Sequence, residues 1–232
     1  MPIRTTVKSK TFRNQGNKLK AIIFDFDGVL VESVGIKTEA FRELFKEYPE
    51  YLKAIVKLHL EHGGLSRFKK FAMIYEKILK INITKKESHR LGKLFSRYVF
   101  KKIIECSLVE GALNLLKRYH KKIDMFIVSG TPQSEIKAIV KHKGLKKYFK
   151  EILGSPKSKK ELIAYLIKKY GYPCNLVILV GDSKEDFEGA SCNGIRYIAR
   201  CCKKNLMKEK SEGLAVSDLR DLQEQLCKKG YL

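Results

Sequence analysis

The sequence lacks any apolar run as long as the ~18 residues that a membrane-spanning helix requires, so a helical membrane span is excluded. It also lacks an apolar signal core near its start; residues 1–17 hold no acid and read as a basic, flexible tail. Its six cysteines, Cys106, Cys174, Cys192, Cys201, Cys202 and Cys227, show no CxxC pair, which argues against a zinc site. Without a secretory signal, reduced thiols in a cytoplasmic protein are the expectation. Acids are scarce: 25 Asp plus Glu stand against 48 Lys plus Arg, a net charge of +23. A field of that sign attracts anions. The lysines are scattered and no nucleic-acid motif accompanies them, so nonspecific charge contact is the most that nucleic acid is expected to make. The oligomeric state is not legible.

The 232 residues suffice for one α/β core and a modest insert. Residues 20–26 (KAIIFDF) form a short apolar run of the kind that makes a buried parallel strand. Residues 125–129, 176–180 and 195–199 repeat it, with a shorter run at 151–153. Helical periods at 108–121, 134–148 and 158–170 separate these runs. Strand–helix alternation predicts a doubly wound parallel sheet, whose reactive groups lie at the carboxyl ends of the strands. Residues 34–105 break the alternation and read as helices over 36–45, 51–62, 66–79 and 85–104. The expected division is a tail over 1–17, a core from 18–33 and 106–232, and a helical insert over 34–105. A terminal helix is predicted over 212–229, with a short strand or loop before it.

The first run ends Asp25-Phe26-Asp27-Gly28. On an extended chain residues i and i+2 face one side, so both carboxylates meet at a strand end, where Gly28 permits a sharp turn. Two such acids resist burial unless a cation neutralises them, and a hard divalent ion with oxygen ligands, magnesium foremost, fits. The second run ends Ser129-Gly130-Thr131-Pro132. Thr131 and Pro132 are expected to cap the next helix, leaving Ser129 and the following amides facing an anion. A third element holds Lys157, Lys159 and Lys160 at a helix start, and any of the three can neutralise a phosphate or a carboxylate nucleophile. The fourth run ends Gly181-Asp182, with Asp186 four residues on, a second acid pair suited to completing a metal shell.

In this order the four elements resemble the haloacid dehalogenase-like superfamily, over about residues 18–33 and 106–221. The resemblance implies a Rossmann-like core and these roles. Asp25 attacks phosphorus and forms an aspartyl phosphate. Asp27 protonates the leaving oxygen and then activates water. Ser129 and the Gly130 amide hold phosphoryl oxygens, and Lys159 steadies Asp25. Magnesium binds Asp25, the Asp27 carbonyl and Asp182, with Asp186 ordering its surroundings. The insert is similar to the helical cap of the phosphoglycolate phosphatase and phosphomutase branch. Its Gly63-Gly64-Leu65-Ser66 lead-in is expected to form a tight loop that aims Arg67 at the far end of a small phosphorylated metabolite. Glu32 stands where many relatives carry Asp. A phosphosugar mutase of the same fold is the alternative, and a nucleic-acid-binding protein with a vestigial site is the alternative of another class.

Overall fold

Four apolar runs become the interior of a parallel sheet, as their composition predicts. The structure, a computed structural model, describes residues 18–201 and 214–232. The expected tail over 1–17, Cys202 and the start of the expected terminal helix lie outside the described residues.

The strands are β1 (Ala21–Phe24), β2 (Asp124–Pro132), β3 (Glu151–Ser155), β4 (Val177–Gly181), β5 (Arg196–Arg200) and β6 (Ala215–Val216). They pair in the order β3-β2-β1-β4-β5-β6, all parallel. The order reverses around β1, and such a switch point opens a crevice at the carboxyl edge. Side-chain alternation explains the unbroken apolar runs. Ile22 and Phe24 join one hydrophobic cluster with Ile127 and Val180, whereas Ala21 and Ile23 join another with Phe126 and Leu179. Both faces of the sheet are therefore covered, as a parallel sheet requires.

The core helices are α5 (Ala112–Tyr119), α6 (Gln133–His142), α7 (Lys159–Tyr170), α8 (Lys184–Cys192) and α9 (Leu219–Lys228). Between β1 and β2 the chain makes α1 (Val34–Leu44), α2 (Leu52–Glu61), α3 (Arg67–Met73) and α4 (Lys85–Glu105). These four form the helical cap. Their apolar faces bring Phe41, Phe45, Phe71 and Phe95 together, each at most 2% exposed. Phe41 meets Phe95 edge-on at 5.2 Å and Phe71 at 5.8 Å between ring centres. Burial of each such ring contributes roughly 1.5–3 kcal/mol. The cap rings belong to the same cluster as Ile22 and Phe24, so cap and sheet share one continuous apolar interior. Among the described residues no helix is long and apolar enough to cross a membrane.

Two local expectations change. The helix expected over 66–79 is α-helical only to Met73 and continues as a wider π-turn over Ile74–Leu79. Thr131 does not cap a helix: β2 runs on to Pro132, and α6 begins at Gln133. The pairing of β2 with β3 shifts register between Val128 and Pro132, and that irregularity turns Thr131 toward β1.

Candidate active site

The site is assembled at the carboxyl edge of β1, β2 and β4 and is roofed by the cap. Asp25 follows β1 directly and its amide donates to the Val180 carbonyl at 2.9 Å, which fixes its height against β4. One carboxylate oxygen accepts from the Phe26 amide at 2.6 Å, and the other from Lys159 Nζ at 2.7 Å. The structure thus selects Lys159 among the three candidate lysines. Lys159 is the first residue of α7, placed by a capping box in which Ser158 and Glu161 satisfy each other's backbone amides. Its ammonium also donates to Asp186 Oδ1 at 2.6 Å. Asp186 is itself held in the first turn of α8, where Ser183 donates to its other oxygen at 2.5 Å.

Asp27 sits two residues on, facing a different set of donors. Ser33 Oγ reaches Oδ1 at 2.6 Å, while Lys37 Nζ at 2.5 Å and Thr131 Oγ1 at 3.1 Å reach Oδ2. Lys37 also donates to Thr131 Oγ1 at 3.0 Å, which closes a three-membered network between α1, β1 and β2. Ser129, 1% exposed, accepts from the Thr131 amide at 3.1 Å and faces the same cavity as Asp25 and Gly130. Gly28 has φ +77°, and a Cβ there would collide with Asp182 Oδ2, so glycine is needed both for the turn and for room. From β5, Arg200 donates to the Gly28 carbonyl at 3.0 Å and forks onto both oxygens of Glu32 at 2.6 and 3.1 Å. Glu32, one methylene longer than Asp, closes that fork.

The electrostatics separate the acids. Burial drives the Asp25 carboxyl up to about 7, although Lys159 pulls the other way. Burial and the charges of Asp25 and Asp186 hold Asp182 well above the usual carboxylate range. Burial alone would raise Asp27 too, but the Lys37 charge and the hydrogen bonds from Lys37, Ser33 and Thr131 outweigh it and keep Asp27 below that range. Burial would lower Lys159, yet Asp186 and Asp25 override it and raise it. Asp25, Asp182 and Asp186 offer oxygens within 4.8 Å of one another, against one ammonium. Three carboxylates and one cation leave negative charge in excess. An all-oxygen donor set of that charge fits a hard divalent cation such as magnesium.

The cap contributes the opposite wall. The Gly63-Gly64 lead-in has no positive φ among its glycines; its need is close approach. A Cβ on Gly130 would stand 2.5 Å from the Gly64 carbonyl, and one on Gly64 would strike Ser183 and Glu185. The cap loop therefore lies directly on the end of β2 beyond Ser129. The Gly64 amide donates to Glu185 at 3.1 Å. Arg67 lines the cavity, but its guanidinium is engaged: it pairs with Glu135 of α6, donates to Ser96 at 2.7 Å and lies 4.4 Å from the centre of the Phe95 ring. Ser96 donates to the other Glu135 oxygen at 2.6 Å. Beside it Lys70, 3% exposed, donates to His59 Nδ1 at 3.1 Å, to the Gly63 carbonyl at 3.2 Å and to the His59 carbonyl at 3.4 Å. The cavity between these walls is narrow, with about 20 Å³ of free volume.

Asp25, Asp27, Ser129, Gly130, Lys159, Asp182 and Asp186 thus converge, as their strand ends predict. Sequence reading missed Lys37, Thr131, His59, Lys70 and Glu135. Thr131 was within reach, because it shares the face of Ser129 at period two. The other four sit on helices whose patterns look like ordinary solvated faces, and no sequence signal marks them.

A family profile described as haloacid dehalogenase-like hydrolase matches residues 22–200. A phosphoglycolate phosphatase from Pseudomonas fluorescens is 22% identical over 227 residues, covering 90% of this chain and 80% of that protein. A phosphorylated carbohydrates phosphatase from Thermotoga maritima is 26% identical over 189 residues, covering 78% of this chain and 84% of that protein. Among solved structures, a β-phosphoglucomutase from Clostridium difficile superposes with a TM-score of 0.72 at 19% identity, covering 92% of this chain and 97% of that one. With most of its length matched, and with the strand-end acids and the lysine in one crevice, this chain belongs to the haloacid dehalogenase-like hydrolases.

Proposed function

We propose that the chain hydrolyses phosphomonoesters of small metabolites with the help of magnesium, through a phosphoenzyme on Asp25. The observation that carries this reading is the pairing of two unlike carboxylates: Asp25 bridged to Lys159 and Asp27 held by Lys37, Ser33 and Thr131. An Asp25 oxygen bonds to phosphorus as the ester P–O bond breaks, and a proton on Asp27 passes to the leaving oxygen. Water then attacks phosphorus and gives a proton to Asp27, the P–O bond to Asp25 breaks, and inorganic phosphate leaves. The lowered pKa of Asp27 suits the second half, in which it must be a carboxylate.

Ser129 and the Gly130 amide receive the phosphoryl oxygens, and Lys159 spreads their charge. Asp25, the Asp27 carbonyl and Asp182 would hold magnesium, with Asp186 setting Lys159 and Ser183 beside it. Bound there, the ion neutralises phosphoryl charge. Residues 34–105 act as the cap on a core of 18–33 and 106–232, and its closing on Gly130 excludes water. Arg67 braces that closed form through Glu135 and puts its guanidinium in the wall next to the substrate's far end.

The test is phosphate release from a panel of phosphorylated metabolites in magnesium and in excess chelator, with product analysis for isomerised phosphosugars. Release that requires magnesium, and a phosphorylated Asp25 in quenched protein, is expected. Isomerisation without release moves the assignment to a mutase. No turnover, together with tight, salt-resistant nucleic-acid binding, overturns the enzyme reading.

A further inference from the structure

The end of β2 departs from the regular sheet, and one side chain spans the departure. β2 pairs with β3 regularly from Phe126 to Val128, and pairing resumes only where Pro132 meets Ser155. Between those points Ser129, Gly130 and Thr131 line the cavity. Gln133, the first residue of α6, bridges the gap to β3. Its Nε2 donates to the Ile152 carbonyl at 2.8 Å, and its Oε1 accepts from the Gly154 amide at 2.6 Å. Those are the two groups of β3 that a parallel neighbour bonds when it lies opposite Leu153. A side-chain amide carries one acceptor oxygen and one donor nitrogen, so it stands in for a peptide group where the strand has bent away. Gly154 completes the fit. A Cβ there would stand 2.5 Å from the Thr131 carbonyl and 2.9 Å from the Gln133 Cα, both backbone atoms that no rotamer moves aside.

Thr131 is the next link. Its hydroxyl donates to Asp27 Oδ2 at 3.1 Å, and its amide donates to Ser129 Oγ at 3.1 Å. The second bond occupies a lone pair of the Ser129 hydroxyl and leaves its proton free to donate into the cavity. One stretch of backbone therefore sets both a donor for the phosphoryl group and a partner of the acid that handles the proton. β3 leads in three residues to Lys159, so the same two bonds also tie the end of β2 to the strand that delivers the ammonium beside Asp25. Gln133 itself is not among the residues that line the cavity.

We propose that Gln133 is a positioning residue: through Ile152 and Gly154 it holds the end of β2 on the bent path that aims Ser129 and Gly130 at the phosphoryl group and Thr131 at Asp27. The inference rests on the phosphomonoesterase reading.

The experiment compares the wild-type protein with Gln133→Met, which keeps the length of the side chain and removes both bonds, and with Gly154→Ala, which presses on the same backbone from β3. The measurements are kcat and KM on an aryl phosphate with magnesium, and inhibition constants for inorganic phosphate and orthovanadate. Vanadate takes up the five-coordinate arrangement of reacting phosphorus, so it depends on donor placement more than phosphate does. In both variants kcat should fall about 10²-fold, the effect of roughly 1 Å of misplacement. KM and the phosphate constant should change less than about threefold, while the vanadate constant rises about tenfold or more. A side chain with a merely structural role would lower the melting temperature and leave KM, both inhibition constants and kcat per folded molecule unchanged; that result overturns the inference, as does equal weakening of both anions with kcat intact. A measurement on the wild-type protein needs no variant to fold. The Gln133 side-chain amide protons and the Gly154 amide should exchange with solvent at least about tenfold more slowly than in an unfolded chain, and exchange at the free rate overturns the bridge. Wild-type protein that releases phosphate from no ester overturns the phosphomonoesterase reading and with it the role given to Gln133, whereas normal turnover by Gln133→Met overturns that role alone.

Discussion

The two walls of the cavity are built on different terms. On the core wall four charged side chains are cross-braced: Asp25 to Lys159, Lys159 to Asp186, Asp186 to Ser183, and Asp27 to three donors. On the cap wall Lys70 has three acceptors but no carboxylate among the described residues, the buried His59 Nε2 has no hydrogen-bond partner, and the wall is tied to the core through Glu135 and Glu185. The difference separates two tasks. A fully braced wall holds reacting atoms in place whatever the substrate. An incompletely satisfied wall gains most from a ligand that completes it, and so selects among ligands.

The largest effects should come from the core wall and be blind to substrate. Asp25→Asn is expected to lower turnover by ~10⁴-fold or more on every ester, because an amide is not a nucleophile. Intact-protein mass measurement after quenching should show no phosphorylated species. A chelator should abolish turnover reversibly, and it should also lower the melting temperature. An ion present at 100 times its dissociation constant adds about 2.7 kcal/mol to the folded state. An unchanged melting temperature would break the case for a cation among the three acids.

Lys159→Met should be the next largest. It leaves Asp25 and Asp186 buried against each other, a loss of about 3–5 kcal/mol in folding where no metal compensates. Turnover should fall for all substrates alike, and magnesium should restore stability more than it restores rate. Loss confined to one class of ester would blur the line between the two walls.

Acid should weaken magnesium binding. Asp25 is raised from an ordinary 3.8 to about 7 in the metal-free protein, so between those values the folded form binds more protons than the unfolded form. Its contribution to stability is therefore present at low pH and is lost as pH climbs toward 7. Protons and the cation compete for the same oxygens, so the apparent affinity for magnesium should drop as pH falls below about 7, by up to ~10-fold per unit for each proton displaced. Calorimetric titration at three pH values checks both sign and slope.

The smallest effect should come from the brace between the walls. Glu135→Gln keeps the shape but removes the charge facing Arg67. Turnover is expected to drop within about tenfold and equally on carboxylated and uncharged esters, the mark of slower or looser closure. A loss restricted to carboxylated esters would instead put Arg67 among the groups that read the substrate.

The sheet and the strand-end acids were legible because apolar runs and paired carboxylates are local patterns that little else in a folded chain produces. Lys159 was singled out only through the family resemblance, since three lysines share one helix start, and in the fold the capping box at Ser158 and Glu161 sets which one turns inward. The cap wall was least legible. Lys37, His59 and Lys70 lie on helices decorated with lysine all along the chain, and a buried ammonium is spelled like an exposed one. Arg67, expected to reach the substrate, lines the cavity with its guanidinium on Glu135, a partner 68 positions away on another element. The terminal helix, expected over 212–229 after a short strand or loop, begins among the described residues only at Leu219, after the two-residue strand β6.

The contact between Gly64 and Gly130 has a mechanical consequence. Two backbones bear on each other with no side chain between them, so the seam has no compressible padding, and its gap is set by the covalent frame alone. A door hung with so little clearance works as a gauge. A single added methyl at Gly130 acts as a shim, holding the leaf ajar by the width of the atom inserted. Solvent then leaks into the cavity through a gap that no compensating rotamer can close. Random variation should find Gly130 among the least forgiving positions in the protein, although it offers no side chain to the reaction.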